Sequence, residues 1–204
     1  MLQLENEHDL TPLADLLEYP DERTVRAASR CRAACAGTPA GGHLEAFAGE
    51  IAALPPESLE EAYVRAFLVA PTAAPYVGVH LFGEESFKRA HFMAQLVERF
   101  QALGFSPGSE LPDHLGVLLR FADRIDGEER RDLERWCLAV PVTAMHASLV
   151  ATQNPYRHVL AAIAGVVAPA GVPDEVRSRI VHVAALPDSD GCMGCSIPHG
   201  GELS

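Results

Sequence analysis

Apolar residues recur at intervals of three and four along almost the whole chain, and no stretch alternates convincingly between apolar and polar residues within turn boundaries. Such a pattern can bury its side chains only by packing helices on helices, so the chain is expected to be all-α. With 204 residues, 48% of them apolar, it is long enough for one sizeable core. We expect a single-domain bundle of about eight to nine helices over residues 1–186. A Gly-, Pro- and Cys-containing C-terminal tail, residues 187–204, is expected to be flexible.

Local signals place the helices. Thr11-Pro12 reads as an N-cap followed by proline at the first helical position, opening a helix that stops near Tyr19-Pro20. Asp21 to Cys35 reads as a second helix that ends in a Gly37–Gly42 loop, and His43 to Leu54 as a third, closed by Pro55-Pro56. Ser58 with Glu61 has the spacing of a capping box, so a fourth helix carrying Tyr63 and Phe67 should begin there. Ala70 to Gly83, with Pro71, Pro75, Gly78 and Gly83, reads as an ordered loop before a long helix over Glu84 to Leu103, capped by Gly104. Leu111-Pro112-Asp113 should start the next, with Leu115, Leu118, Leu119, Ala122 and Ile125 on one apolar stripe. Gly127 should interrupt the chain before Glu128 to Val140, and Pro141 should break or kink any helix that continues through Val150. Pro155 to Ala168 and Pro173 to Leu186 read as two closing helices.

The net charge of −12 would repel nucleic acid phosphates and suits a cationic partner such as a basic peptide segment, although acidity also serves solubility alone. Met1 to Leu10 is acidic, with no Lys or Arg, unlike a secretory signal. The apolar run Val159 to Ala168 is too short to cross a bilayer. Five cysteines, an odd number, argue against a secreted disulfide framework, so a cytoplasmic address without membrane insertion is expected.

Three constellations can carry function. In Glu110-Leu111-Pro112-Asp113-His114-Leu115, proline fixes the start of a helix and Asp113 is expected in its first turn, facing the positive helix end. His114 beside it can titrate near neutrality or donate a hydrogen bond to a ligand; simple helix capping with an incidental histidine accounts for the same residues. Tyr63 and Phe67, four apart, read either as core packing or, with Tyr76 on the proline-rich loop, as one wall of an apolar groove for a partner segment. In the tail, Cys192, Cys195 and His199 have the chemistry to hold zinc or iron, or the two thiols to form a redox pair. A closed metal site needs a fourth ligand, from His182, Cys31 or Cys35, and an idle tail explains the residues equally. The motifs of Ser hydrolases, P-loops, dinucleotide folds and zinc proteases are missing, and Cys137 beside Trp136 reads as a buried thiol. No catalytic constellation emerges, and the chain is expected not to be an enzyme.

Taken in order, Leu17-Glu18-Tyr19-Pro20-Asp21-Glu22, Tyr63 with Phe67, the proline-rich loop, Leu103-Gly104-Phe105, Leu111 to Leu115 and Leu118-Leu119-Arg120-Phe121-Ala122 resemble the TorD/DmsD/NarJ family of redox-enzyme maturation chaperones, nearest its NarJ-like branch. The likeness spans roughly residues 10 to 165. It implies an all-α chaperone, needing no cofactor of its own, that binds the N-terminal region of an apo molybdopterin oxidoreductase catalytic subunit, often a twin-arginine signal peptide. It would hold that subunit until cofactor insertion is complete, before export or membrane docking. The family's client-binding segment maps onto Pro112, Asp113 and His114 and its aromatic helix onto Tyr63 and Phe67. Arg120 is carried over as a client-binding position although it departs from the family, standing where the family usually carries Glu, and the Cys192–Cys195 tail is not part of the family pattern. The metal or thiol-redox role of that tail stands as the alternative. A homodimer and the identity of the client are left open by the sequence. Asp113→Ala is expected to weaken client binding with little loss of thermal stability.

Overall fold

The computed structural model describes residues 9–21 and 24–178. Within them the chain is all-α, as its periodicity requires. The helices are α1 (Thr11–Asp15), α2 (Thr24–Ala34), α3 (Pro39–Ala52), α4 (Pro56–Tyr63), α5 (Val77–Phe82), α6 (Phe87–Ala102), α7 (Leu115–Ala122), α8 (Gly127–Asp132), α9 (Ala139–Ala151) and α10 (Arg157–Val167). Two π-helical turns, Val64–Leu68 and Leu133–Leu138, extend α4 and join α8 to α9. Residues 174–178 are helical as well. Among the described residues the only extended pairing is one antiparallel bridge, Tyr76 with His114.

α7 occupies the centre. Every residue of it except Arg120 is buried, including the apolar stripe read from the sequence, which continues to Ile125. α1 lies against α7, α2 and α10 against α3, and α9 against both α10 and α5. The largest side chains of the core are Phe47, Phe92, Phe100, Phe121 and Tyr156, each withdrawn from solvent.

Several local expectations are corrected. The ten α-helices among the described residues form the expected all-α bundle; α5, inside the proline-rich stretch read as a loop, and the division of the Glu128–Val150 stretch into α8 and α9 account for the larger number. Thr11 is not the cap of α1: Leu10 is, and the capping oxygens come from Asp123, which accepts from the amides of Leu10 (3.0 Å) and Thr11 (2.7 Å) and from the Thr11 hydroxyl (2.7 Å). A carboxylate 112 residues away thus does what a local side chain was expected to do. Gly41 and Gly42 lie inside α3, which starts at Pro39 under a Thr38 cap that accepts from the Gly41 amide. The Ser58–Glu61 pair is no capping box, since α4 already begins at Pro56.

Gly127 stands, as expected, at the break before the Glu128 stretch: it opens α8 with a φ of +54°, one that glycine adopts without strain. Pro141 neither breaks nor ends its helix. The wide turn Leu133–Leu138 lies just before it, and the Ala139 amide donates to the Glu134 carbonyl. The ladder is already out of α register where proline would have disrupted it. Gly104, at φ +62°, closes α6 as expected, with the Phe105 amide donating to Phe100 at 2.9 Å.

Candidate functional site

The segment 70–76 runs back from the π turn that extends α4 and meets the residues before α7. Val77 donates to the Asp113 carbonyl (2.8 Å) and Leu115 to the Pro75 carbonyl (2.7 Å), closing the Tyr76–His114 bridge. Two stretches singled out separately in the sequence therefore form one structure.

Asp113 is the pin of this arrangement. Its carboxylate is 0% exposed and accepts from Arg89 of α6 through both oxygens, at 2.8 Å from Nε and 3.3 Å from Nη2. Gly78 allows the approach: a Cβ there would stand 2.6 Å from Asp113 Oδ2 and 2.8 Å from Arg89 Cγ. The Arg89 guanidinium also lies 5.6 Å from the centre of the Tyr76 ring. Asp113 is consequently not in the first turn of α7. It precedes the cap, which is His114, whose Nδ1 accepts from the Gly116 amide at 3.2 Å. That bond requires an unprotonated Nδ1. Burial pushes the imidazole pKa down, although the nearby carboxylates of Glu110 and Glu18 pull it upward.

Tyr63 and Phe67 are both buried. The Tyr63 hydroxyl donates to the Leu17 carbonyl at 2.8 Å, and burial pushes its pKa up to about 12. Its ring touches Tyr19, Phe67 and Tyr156 edge-on, with centroids 5.2 to 5.5 Å apart. Of the two, Phe67 reaches the surface feature that matters, a cleft of about 600 Å³ lined by Leu68, Pro71, Tyr76, Val79 and Leu111 together with the charged Glu84 and Arg89. Leu68 (54% exposed), Val69 (70%) and Leu111 (46%) leave apolar surface at its lip. Ala70, which also lines it, holds a φ of +44°, a conformation that alanine adopts only under strain. Pro112 is half-buried between Leu111 and the Asp113 pin.

Arg120 belongs elsewhere. It pairs with Asp15 and Glu18, each at 2.9 Å, and lines a second cleft of about 600 Å³ with Tyr19, Asp21 and Arg30. Glu18 and Glu110 both act on Tyr63 and His114, so this acidic cleft and the bridge share an electrostatic environment.

Sequence reasoning missed Arg89, Gly78, Leu68 and Glu84. Arg89 had no detectable signal, because its partner lies 24 residues away. Cys192, Cys195 and His199 lie outside the described residues, as do His182 and the tail. Among the described residues no group of three His, Cys, Asp or Glu is placed to hold a metal ion. Cys31, considered as a fourth ligand, is buried and donates to the Pro12 carbonyl at 3.0 Å. Cys137 is buried, as its neighbours suggested.

Compared with known protein families, residues 34–162 match the family described as the nitrate reductase delta subunit. The matched span runs from the end of α2 into α10 and contains the bridge, its Arg89–Asp113 pin and the apolar cleft. Among curated proteins, none matches the chain.

Proposed function

The chain belongs to the nitrate reductase delta subunit family, whose members serve molybdoenzyme maturation as chaperones, and from that premise we propose that it binds the N-terminal segment of an apo molybdopterin oxidoreductase catalytic subunit. It holds that subunit, in the cytoplasm, until the cofactor is inserted, and it catalyses no reaction itself. No helix among the described residues is long and apolar enough to cross a membrane.

The observation that carries this reading is the apolar cleft beside the Pro112–His114 segment. It is open, it is lined by Phe67, Tyr76 and Leu111, and apolar side chains remain uncovered at its lip. Burying such surface against a client contributes about 25 cal/mol per Å², less the cost of ordering the segment. Glu84 on the cleft wall and Glu110 close to Tyr76 favour a basic flank on the client, and a net charge of −12 steers it inward. Asp113 serves the site indirectly: fully buried and paired with Arg89, it holds the cleft wall in place.

The test is co-purification from anaerobically grown cells with affinity-tagged chain. Recovery of an apo molybdopterin catalytic subunit, lost when that subunit's N-terminal segment is deleted, is expected. A preparation free of any such subunit while the enzyme is being made would overturn the reading.

A further inference from the structure

The first turn of α6 inverts the usual order of burial. Lys88 is 4% exposed, whereas Phe87 beside it is 79% exposed, the most exposed large apolar side chain among the described residues. The register explains how. Lys88, Phe92, Leu96 and Phe100 form the buried stripe of α6 at intervals of four, and Phe87 stands one position off it. Phe87 therefore contributes nothing to the core, and a solvated phenyl ring costs solubility. It is not isolated: Phe87, Ala90 and Met93 line a shallow depression of about 290 Å³ whose other residues include Glu84, Glu85 and Arg89.

Glu84 and Arg89 also line the apolar cleft. The two depressions thus share Glu84 and Arg89 on their walls, and the Arg89 guanidinium is held by Asp113 and donates to the Glu84 carbonyl at 3.3 Å. We propose that the client segment filling the cleft continues past Arg89 and seats an apolar side chain against Phe87, making the start of α6 a second subsite of the same groove. The occupant is a segment with apolar residues on both sides of the point where it passes Arg89 and a cationic residue set against Glu84 and Glu85. The wall shared with the cleft and this charge match favour it over a second copy of the chain, whose net charge of −12 opposes self-association through an acidic rim.

This inference rests on the client-binding reading, and one experiment separates the two. A labelled peptide covering the N-terminal segment of the co-purifying catalytic subunit is titrated with the full chain and followed by fluorescence anisotropy. Phe87→Ala should raise Kd about tenfold, equivalent to about 1.4 kcal/mol, with an unchanged melting temperature because the ring is exposed. Val97→Ser, further along α6 and outside both depressions, should leave Kd unaltered. Equal affinity of Phe87→Ala and the unsubstituted protein overturns the second subsite while leaving the cleft intact. Equal affinity together with loss of a dimer in sedimentation would assign the ring to a second copy, which overturns the subsite as well. Absence of binding by the unsubstituted protein removes the client reading, and the extension falls with it.

Discussion

Asp113 and Tyr156 show how differently two buried polar side chains can be placed. Asp113 has a full partner in Arg89, so removing either one strands a charge in a dry environment. Asp113→Ala should lower stability by about 3 kcal/mol, read from urea denaturation, and this replaces the sequence-based expectation of little thermal loss. Adding Arg89→Met should recover part of that loss; full additivity of the two changes would show that the pair is not coupled. Tyr156 is the opposite case. It is 0% exposed among Phe47, Tyr63 and Phe67, and its hydroxyl has no hydrogen-bond partner among the described residues. Asn154 fixes the approach to it, accepting from the Tyr156 amide at 3.0 Å and donating to the Ala62 carbonyl at 2.8 Å. Tyr156→Phe should therefore leave the melting temperature unchanged or raise it, since the deleted hydroxyl satisfies nothing. A clear drop would show that the hydroxyl is bonded in solution.

Among the elements, α7 was the most legible in the sequence and the 70–83 segment the least. The stripe from Leu115 to Ile125 has a strict helical period and is buried as read, because periodicity reports a face directly. Val77–Phe82 is a helix in a stretch whose prolines and glycines signal a loop. It is held there by α6, α9 and the Val77 amide's bond to the Asp113 carbonyl, contacts that no local pattern encodes. For the same reason the long-range cap on α1 and the Arg89 pin were invisible. The candidate residues Tyr76, Pro112, Asp113 and His114 do come together, but their depth could not be read from spacing alone.

The cap of α7 also makes this element sensitive to pH. Because burial holds the His114 pKa below its ordinary value in the folded chain, the unfolded chain takes up a proton first. Stability is full above about pH 6.5 and is lost as pH falls from there through the depressed folded-state value. His114→Asn keeps a capping side chain without titrating, so it should flatten the fall in stability measured by denaturation between neutral and acid pH. An unchanged slope would assign the effect to other histidines, of which His146 is similarly depressed by burial and by the neighbouring His43 and His158.

At the scale of the whole molecule, the same surface that suits a client is a burden without one. Leu68, Val69, Phe87 and Leu111 give the protein exposed apolar surface, and its excess of carboxylates opposes adhesion between copies. That repulsion vanishes near the isoelectric point, about 5.1. Colloidal behaviour should then report occupancy. Turbidity on acidification should rise sharply for the free chain and far less for chain saturated with client peptide, and identical curves would mean that the uncovered face takes no part in adhesion. On the proposed reading, a maturation factor built this way is kept dispersed by its charge when idle and by its cargo when engaged.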